Sequence, residues 1–264
     1  MSRKLLHSQR RRKRTHDRRY AQAPRRLTGT GATQTALRRV KISGHALRGA
    51  VQRGIDWRHQ HTIVAGDQES CESCTSFAVA AAITLQGKIV GKQLLISPGY
   101  LHTCLGHQSE NDARVICATA VDPHWLLHHL RDVGWQPQAE QSYPYPPSAC
   151  RIGGRPERLR SVTPISSGQQ AKRALEKGPL VVEMRAPPSF FTFTGKLYRD
   201  AVRHDHPLHT VCVIGYDDDG WIILNSKGTT WGDGSGCATI EYGRCQRLAF
   251  MPGIPPLAAF AITL

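Results

Sequence analysis

Cys74, His209 and Asn225 are the three residues of this chain whose types and settings suit nucleophilic chemistry. Cys74 follows Ser73 at the start of a segment in which Phe77, Ala78, Ala81, Ala82 and Leu85 recur at helical spacing. A thiol attacks as its thiolate. The first turn of a helix favours that anion, because unpaired backbone N–H groups and the helix dipole point at it. Ser73, Thr75 and Ser76 are small and polar, as access to the sulfur requires. A neighbouring histidine would complete an ion pair and later return the proton to a leaving group. Of the thirteen histidines, His209 leads an apolar strand whose fixed backbone can aim the imidazole. Asn225 opens a Gly-containing loop after the next strand, where its amide can accept from the imidazole N–H and hold its rotamer and tautomer. Gln68 stands six residues before the cysteine. Each residue alone has a plainer explanation in packing or turn formation. Their combination in this order is what points to a cysteine nucleophile.

The elements that must position these groups are legible as patterns. A helix is expected from Ser73 to Gln86, capped by Ser73 and stopped by Gly87. Further helices are expected over 97–105, over 122–132 behind Asp122-Pro123, and over 169–177. Strands follow at 180–184, 210–216, 221–224, 236–242 and 258–264, with a turn at Asp217-Asp218-Asp219-Gly220. Helices first and strands second predict an α+β protein with two lobes.

Charge divides the chain differently. Residues 1–60 hold 17 Lys and Arg against Asp17 and Asp56, while the remaining 204 residues balance at 18 and 18. The excess of +15 therefore belongs to an N-terminal arm, residues 1–53, expected to lack a fold of its own apart from a possible basic helix in 33–53. Such an arm would attract nucleic acid or another anionic surface without specificity. No apolar run is long enough to span a membrane. No secretory leader is read at the start, so a cytoplasmic location or non-classical export is expected. No metal or cofactor is expected either. Cys71-Glu-Ser-Cys74 is a lone CxxC preceded by a polar loop, and His204-Asp205-His206 reads as an exposed turn.

At the level of motifs the chain resembles the papain family of cysteine peptidases. Gln68-Glu-Ser-Cys-Glu-Ser-Cys74-Thr-Ser-Phe is similar to the family's QGSCGSCWAF. His209-Thr-Val-Cys-Val-Ile-Gly-Tyr216 is similar to HAVxxVGY, and Asn225-Ser-Lys-Gly-Thr-Thr-Trp-Gly232 to NSWGxxWG. Ile55-Asp56-Trp57-Arg58 and Tyr143-Pro144-Tyr145 resemble two further family signatures. The resemblance covers residues 54–264. It implies a papain-like two-lobed fold, with a helical left lobe (about 54–155), an antiparallel β right lobe (about 156–264) and the cleft between them.

The resemblance also implies functions for particular residues. Cys74, His209 and Asn225 would be the nucleophile, base and orienting amide of a thiol protease acting on peptides or proteins. Gln68 and the Cys74 N–H would form the oxyanion hole. Disulfides would join Cys71 to Cys117 and Cys104 to Cys150. Cys245 would lack its usual partner, with Cys212 and Cys237 as possible replacements. Glu183 and Phe250 would line the pocket for the side chain one residue before the cleaved one. Ala118, Thr119 and Ala120 would stand where the family has the Asn-Gly-Gly that accommodates substrate backbone. Departures are Thr75 and Lys227 in place of tryptophans and Leu208 before the base. They leave open a degenerate peptide-binding relative, or a nucleic-acid binder driven by the arm.

Overall fold

The computed structural model describes residues 54–137, 147–150, 155–243 and 258–264. The basic arm, Tyr143-Pro144-Tyr145, Cys245 and Phe250 lie outside the described residues.

The central helix, α1 (Cys74–Ile89), is buried on nearly every side, as its Ala-rich sequence permits. Two expectations about its ends are corrected. Ser73 does precede the helix, but its backbone (φ −102°, ψ 13°) is not extended as a capping residue needs. Its hydroxyl turns to the Cys71 carbonyl at 3.4 Å instead. Gly87 does not stop the helix. It is retained because the chain doubles back there: Lys92 N–H donates to the Gly87 carbonyl at 2.8 Å, and a Cβ on Gly87 would come within 2.9 Å of the Lys92 carbonyl oxygen.

The segment predicted as helix 97–105 is a π-helical stretch, Tyr100–Gly106. A short helix not anticipated, α2 (Ala113–Ala118), starts behind Asp112, whose carboxylate accepts from Arg114 N–H at 2.8 Å. In α3 (Pro123–Asp132) Leu126, Leu127 and Leu130 are buried, and Asp122 caps the start by accepting from Trp125 N–H at 2.6 Å. α4 (Gly168–Leu175) and α5 (Pro188–Phe191) fall among the strands.

The strands are β1 (Ile55–Asp56), β2 (Ser161–Pro164), β3 (Leu180–Arg185), β4 (Leu197–Tyr198), β5 (Leu208–Tyr216), β6 (Gly220–Leu224), β7 (Cys237–Glu241) and β8 (Ala259–Thr263). They form one sheet in the order β2-β8-β3-β5-β6-β7-β4, with β1 also paired to β5. The pairings between these strands are antiparallel except that of β4 with β7. Gly215 sits at a register shift in β5 beneath β1, where a side chain would collide with the Ile55 carbonyl.

Alternation along the strands divides two cores. Val181, Cys212, Ile214, Ile222 and Leu224 pack with α1 and α3. Leu180, Val182, Met184, Val211, Val213 and Ile223 pack on the other face with Phe190, Trp231 and α4. The Arg58 guanidinium forks onto Asp56 and reaches Asp233 at 2.7 Å, tying the start of the domain to the loop before β7. Both expected disulfides are present, Cys71–Cys117 and Cys104–Cys150. Cys212 and Cys237 are buried free thiols.

Candidate active site

β5 carries two consecutive residues to opposite faces. His209 falls on the face of Val211 and Val213, and Thr210 on the face of Cys212 and Ile214, toward α1. His209 is buried, and its Nε2 lies 2.8 Å from Asn225 Oδ1. That amide oxygen also accepts from Ser226 N–H at 2.9 Å, so it is the acceptor and Nε2 carries the proton. Nδ1 is then left as the basic nitrogen. Asn225 is held from behind by its own N–H, which donates to the Gly236 carbonyl at 2.9 Å. Gly236 adopts φ +80°, and a Cβ there would strike Ala65.

Two phenyl rings cover the imidazole: Phe190 with its centroid 5.6 Å away and Phe191 at 5.3 Å, both edge-on. Burial among them pushes the His209 pKa down to about 4; the Asn225 bond opposes this, and the Lys227 ammonium adds to it. Lys227 stands where the family motif has tryptophan, and the aromatic rings beside the imidazole are those of Phe190 and Phe191. Lys227 Nζ donates to the Glu69 carbonyl at 2.8 Å and lies 5.7 Å from the Phe191 ring centroid. Glu69 itself is the one non-glycine with positive φ (+52°) among the described residues. The Asp67 carboxylate accepts its N–H at 2.8 Å, so Asp67 and Lys227 together pin a left-handed residue where the family motif has glycine.

Gln68 is buried beside this loop. Its Oε1 accepts from Ser226 Oγ at 2.6 Å, and its Nε2 donates to the Cys71 carbonyl at 2.7 Å. One amide hydrogen remains uncommitted by these bonds. Cys74 is the first residue of α1, so its N–H is one of the helix's unpaired donors. Its thiol is buried; burial pushes the pKa up, while N–H and hydroxyl donation from Thr210 and the Thr75 N–H pull it down. Thr75 Oγ1 meets Thr210 Oγ1 at 3.0 Å.

Glu183 is directly opposite Thr210 in the β3–β5 register and half-buried. Burial raises its pKa, acceptance from the Ala258 N–H lowers it, and the Asp122 carboxylate nearby raises it. Ala118, Thr119 and Ala120 are exposed at and after the C-terminus of α2. The Cys71–Cys117 bridge and a 2.8 Å bond from Glu72 N–H to the Cys117 carbonyl fasten them to the loop before Cys74.

The family profile for papain family cysteine proteases matches residues 51–249. The chain belongs to the papain family. Among curated relatives of this papain-family chain, a cathepsin L-like peptidase of Aedes aegypti is 27% identical over 195 residues, 68% of this chain and 56% of the relative. Cathepsin K of Mus musculus is 28% identical over 200 residues, 70% of this chain and 58% of the relative. The chain thus spans less than two thirds of the length of these curated relatives. A bromelain protease from Ananas comosus, solved with the E64 inhibitor, superposes with TM-score 0.61 at 20% identity over 81% of this chain and all of that one. A cysteine protease of Carica candamarcensis, solved with E-64, gives TM-score 0.61 at 21% identity, over 81% of this chain and 99% of that one. These likenesses establish the papain-like fold.

Sequence reasoning about the papain-family site passed over Phe190, Phe191, Ser226 and Thr210. The Phe-Phe pair behind Pro187-Pro188 was a visible signal, since a short proline-opened helix with two aromatics ahead of the base has to pack on something. Thr210 gave none, because only the fold reveals which face of β5 meets the thiol.

Proposed function

We propose that the chain is a cysteine peptidase with Cys74 as nucleophile, His209 as base and Asn225 as the residue that orients the base. The observation that carries it is the 2.8 Å bond from His209 Nε2 to Asn225 Oδ1, which leaves Nδ1 basic on the strand whose next residue, Thr210, meets Thr75 beside Cys74. His209 Nδ1 takes the thiol proton as sulfur attacks the peptide carbonyl. The oxyanion receives the Cys74 N–H and the remaining Gln68 amide hydrogen. His209 then protonates the leaving amine, and a water activated by the same nitrogen hydrolyses the thioester.

Glu183 supports a preference for Arg or Lys one residue before the cleaved one. A half-buried carboxylate bonding such a cation favours it by ~1.5–3 kcal/mol. Ala118, Thr119 and Ala120 form the opposite wall, with less room for substrate backbone than glycines would leave. The arm 1–53 is then both an anionic-surface anchor and, through Arg11-Arg12-Lys13-Arg14 and Arg25-Arg26, a substrate for self-trimming. The test is labelling of Cys74 by an epoxide inhibitor in wild type and His209→Ala, with a peptide-library profile of wild type and Glu183→Gln. Rapid labelling that needs His209, with a basic preference lost in Glu183→Gln, is expected. Labelling at the same rate in both proteins overturns the nucleophile–base pairing, and an unchanged profile overturns the role of Glu183.

A further inference from the structure

α1 and β5 share a buried apolar core. Cys212 and Ile214 of β5 meet Ala78, Val79 and Ala82 of α1, all buried. At the end of this interface nearest the sulfur, Thr75 and Thr210 face each other, each 2% exposed, with their hydroxyls 3.0 Å apart. Packing alone does not require hydroxyls here, since two valines have the same shape. Two buried hydroxyls cost desolvation that only hydrogen bonds offset. Thr75 and Thr210 bond each other at the start of α1, and the Thr210 N–H and hydroxyl both favour the anionic form of the neighbouring Cys74. Each hydroxyl has a single hydrogen. When Cys74 is a thiolate, Thr75 donates to Thr210 and Thr210 donates to sulfur. When Cys74 is a thiol, the direction can reverse, with Thr210 donating to Thr75. The pair can thus reorient with the charge on sulfur without moving a heavy atom.

We infer that Thr210 is a positioning residue that fixes the Cys74 sulfur and gives its anion a hydroxyl hydrogen bond, with Thr75 orienting that hydroxyl. His209 and Thr210 then divide the work of one strand: the first takes the proton, and the second steadies the anion left behind. The consequence for turnover rests on the peptidase reading; the effect on the thiol does not.

The test uses the full chain and the variants Thr210→Val, Thr210→Ser and Thr75→Val. Two quantities are measured: the pH midpoint of iodoacetamide alkylation at Cys74, and kcat and KM on a peptide substrate. Thr210→Val is expected to raise the alkylation midpoint by about one pH unit, and to lower kcat about tenfold with KM within about twofold. Thr210→Ser, which keeps the hydroxyl, should restore both, and Thr75→Val should give a smaller shift in the same direction. If Thr210→Val does not fold, Thr75→Val carries the same test, because it removes the orienting partner and leaves Thr210 in place. A wild-type midpoint in the folded valine variants, or a serine variant as impaired as the valine one, overturns the inference. A shifted midpoint in a chain that hydrolyses no peptide upholds the role of Thr210 and refutes the peptidase reading instead.

Discussion

On the peptidase reading, the cleft would have two walls, and they are built differently. On the wall that holds the reacting groups, Gln68, Ser226, Asn225 and His209 form a continuous chain of buried hydrogen bonds, each between 2.6 and 2.9 Å. On the facing wall, Ala118, Thr119 and Ala120 are exposed, and Thr119 Oγ1 bonds only within its own helix, to the Val115 carbonyl at 2.9 Å. That wall is fastened by a disulfide rather than by a network. Groups that must meet a transition state need tight placement, because a misplacement of about 1 Å can cost roughly a hundredfold in rate. A wall that receives varied substrates has no such requirement.

The largest expected effect is at the centre of the bonded wall. Cys74→Ala should abolish peptide hydrolysis, by at least ~10⁴-fold, with an unchanged melting temperature, because only a sulfur at the helix start is lost. His209→Ala should lower kcat by roughly 10²–10⁴-fold, and Asn225→Ala by less, since it orients rather than reacts. Steady-state kinetics on one substrate rank all three. A loss in Asn225→Ala exceeding that in His209→Ala would mean the base has been assigned to the wrong residue.

Acid should reach both walls. His209 and His102 are each buried with the pKa pushed down to about 4 by burial. In the unfolded chain each titrates near 6.5, so from pH 6.5 downward the unfolded state binds protons that the folded state refuses. Stability is then lost progressively toward pH 4, by about 3 kcal/mol for each histidine. The two act on different walls, because His102 Nε2 bonds the Ile116 carbonyl in α2 at 3.0 Å. His102→Gln, measured by urea unfolding at pH 7 and pH 4.5, should lose less stability on acidification than wild type. Equal losses would mean that His102 titrates normally.

Smaller effects should separate the shield from the cation. Phe191→Ala exposes the imidazole and should raise the His209 pKa, seen by NMR titration, together with a fall in kcat. Lys227→Met removes a cation that disfavours imidazolium, so it should raise the same pKa by less, while freeing the Glu69 carbonyl. A larger shift in Lys227→Met than in Phe191→Ala would mean that the Lys227 charge outweighs burial by the phenyl rings.

Much of this was legible in the residues. The period of Phe77, Ala78, Ala81, Ala82 and Leu85 announced α1, and the apolar runs at 180–184, 210–216 and 221–224 announced β3, β5 and β6 to within two residues. What escaped were features set by distant backbone. Gly87 looks like a helix stop until Lys92 is seen folding back on it. β1 and β4 are two residues long and exist only through their partners. At the site, Gln68, Cys74, His209 and Asn225 stood out through motif and order. The contribution of Phe190 and Phe191 depended on which face of β5 the imidazole takes, a fact of register that no local pattern carries.

The Cys71–Cys117 bridge ends three residues before Cys74, and this sets an electrochemical condition on the whole molecule. Cys74 reacts only as a free thiol, whereas the bridge beside it holds the facing wall only while oxidised. A reductant strong enough to open the bridge would release α2 from the nucleophile loop, and an oxidant strong enough to cap Cys74 would silence it. On the peptidase reading the protein would be competent only in a band of potentials, bounded below by the bridge and above by the Cys74 thiol. Its surroundings could then switch it off from either side without cutting the chain.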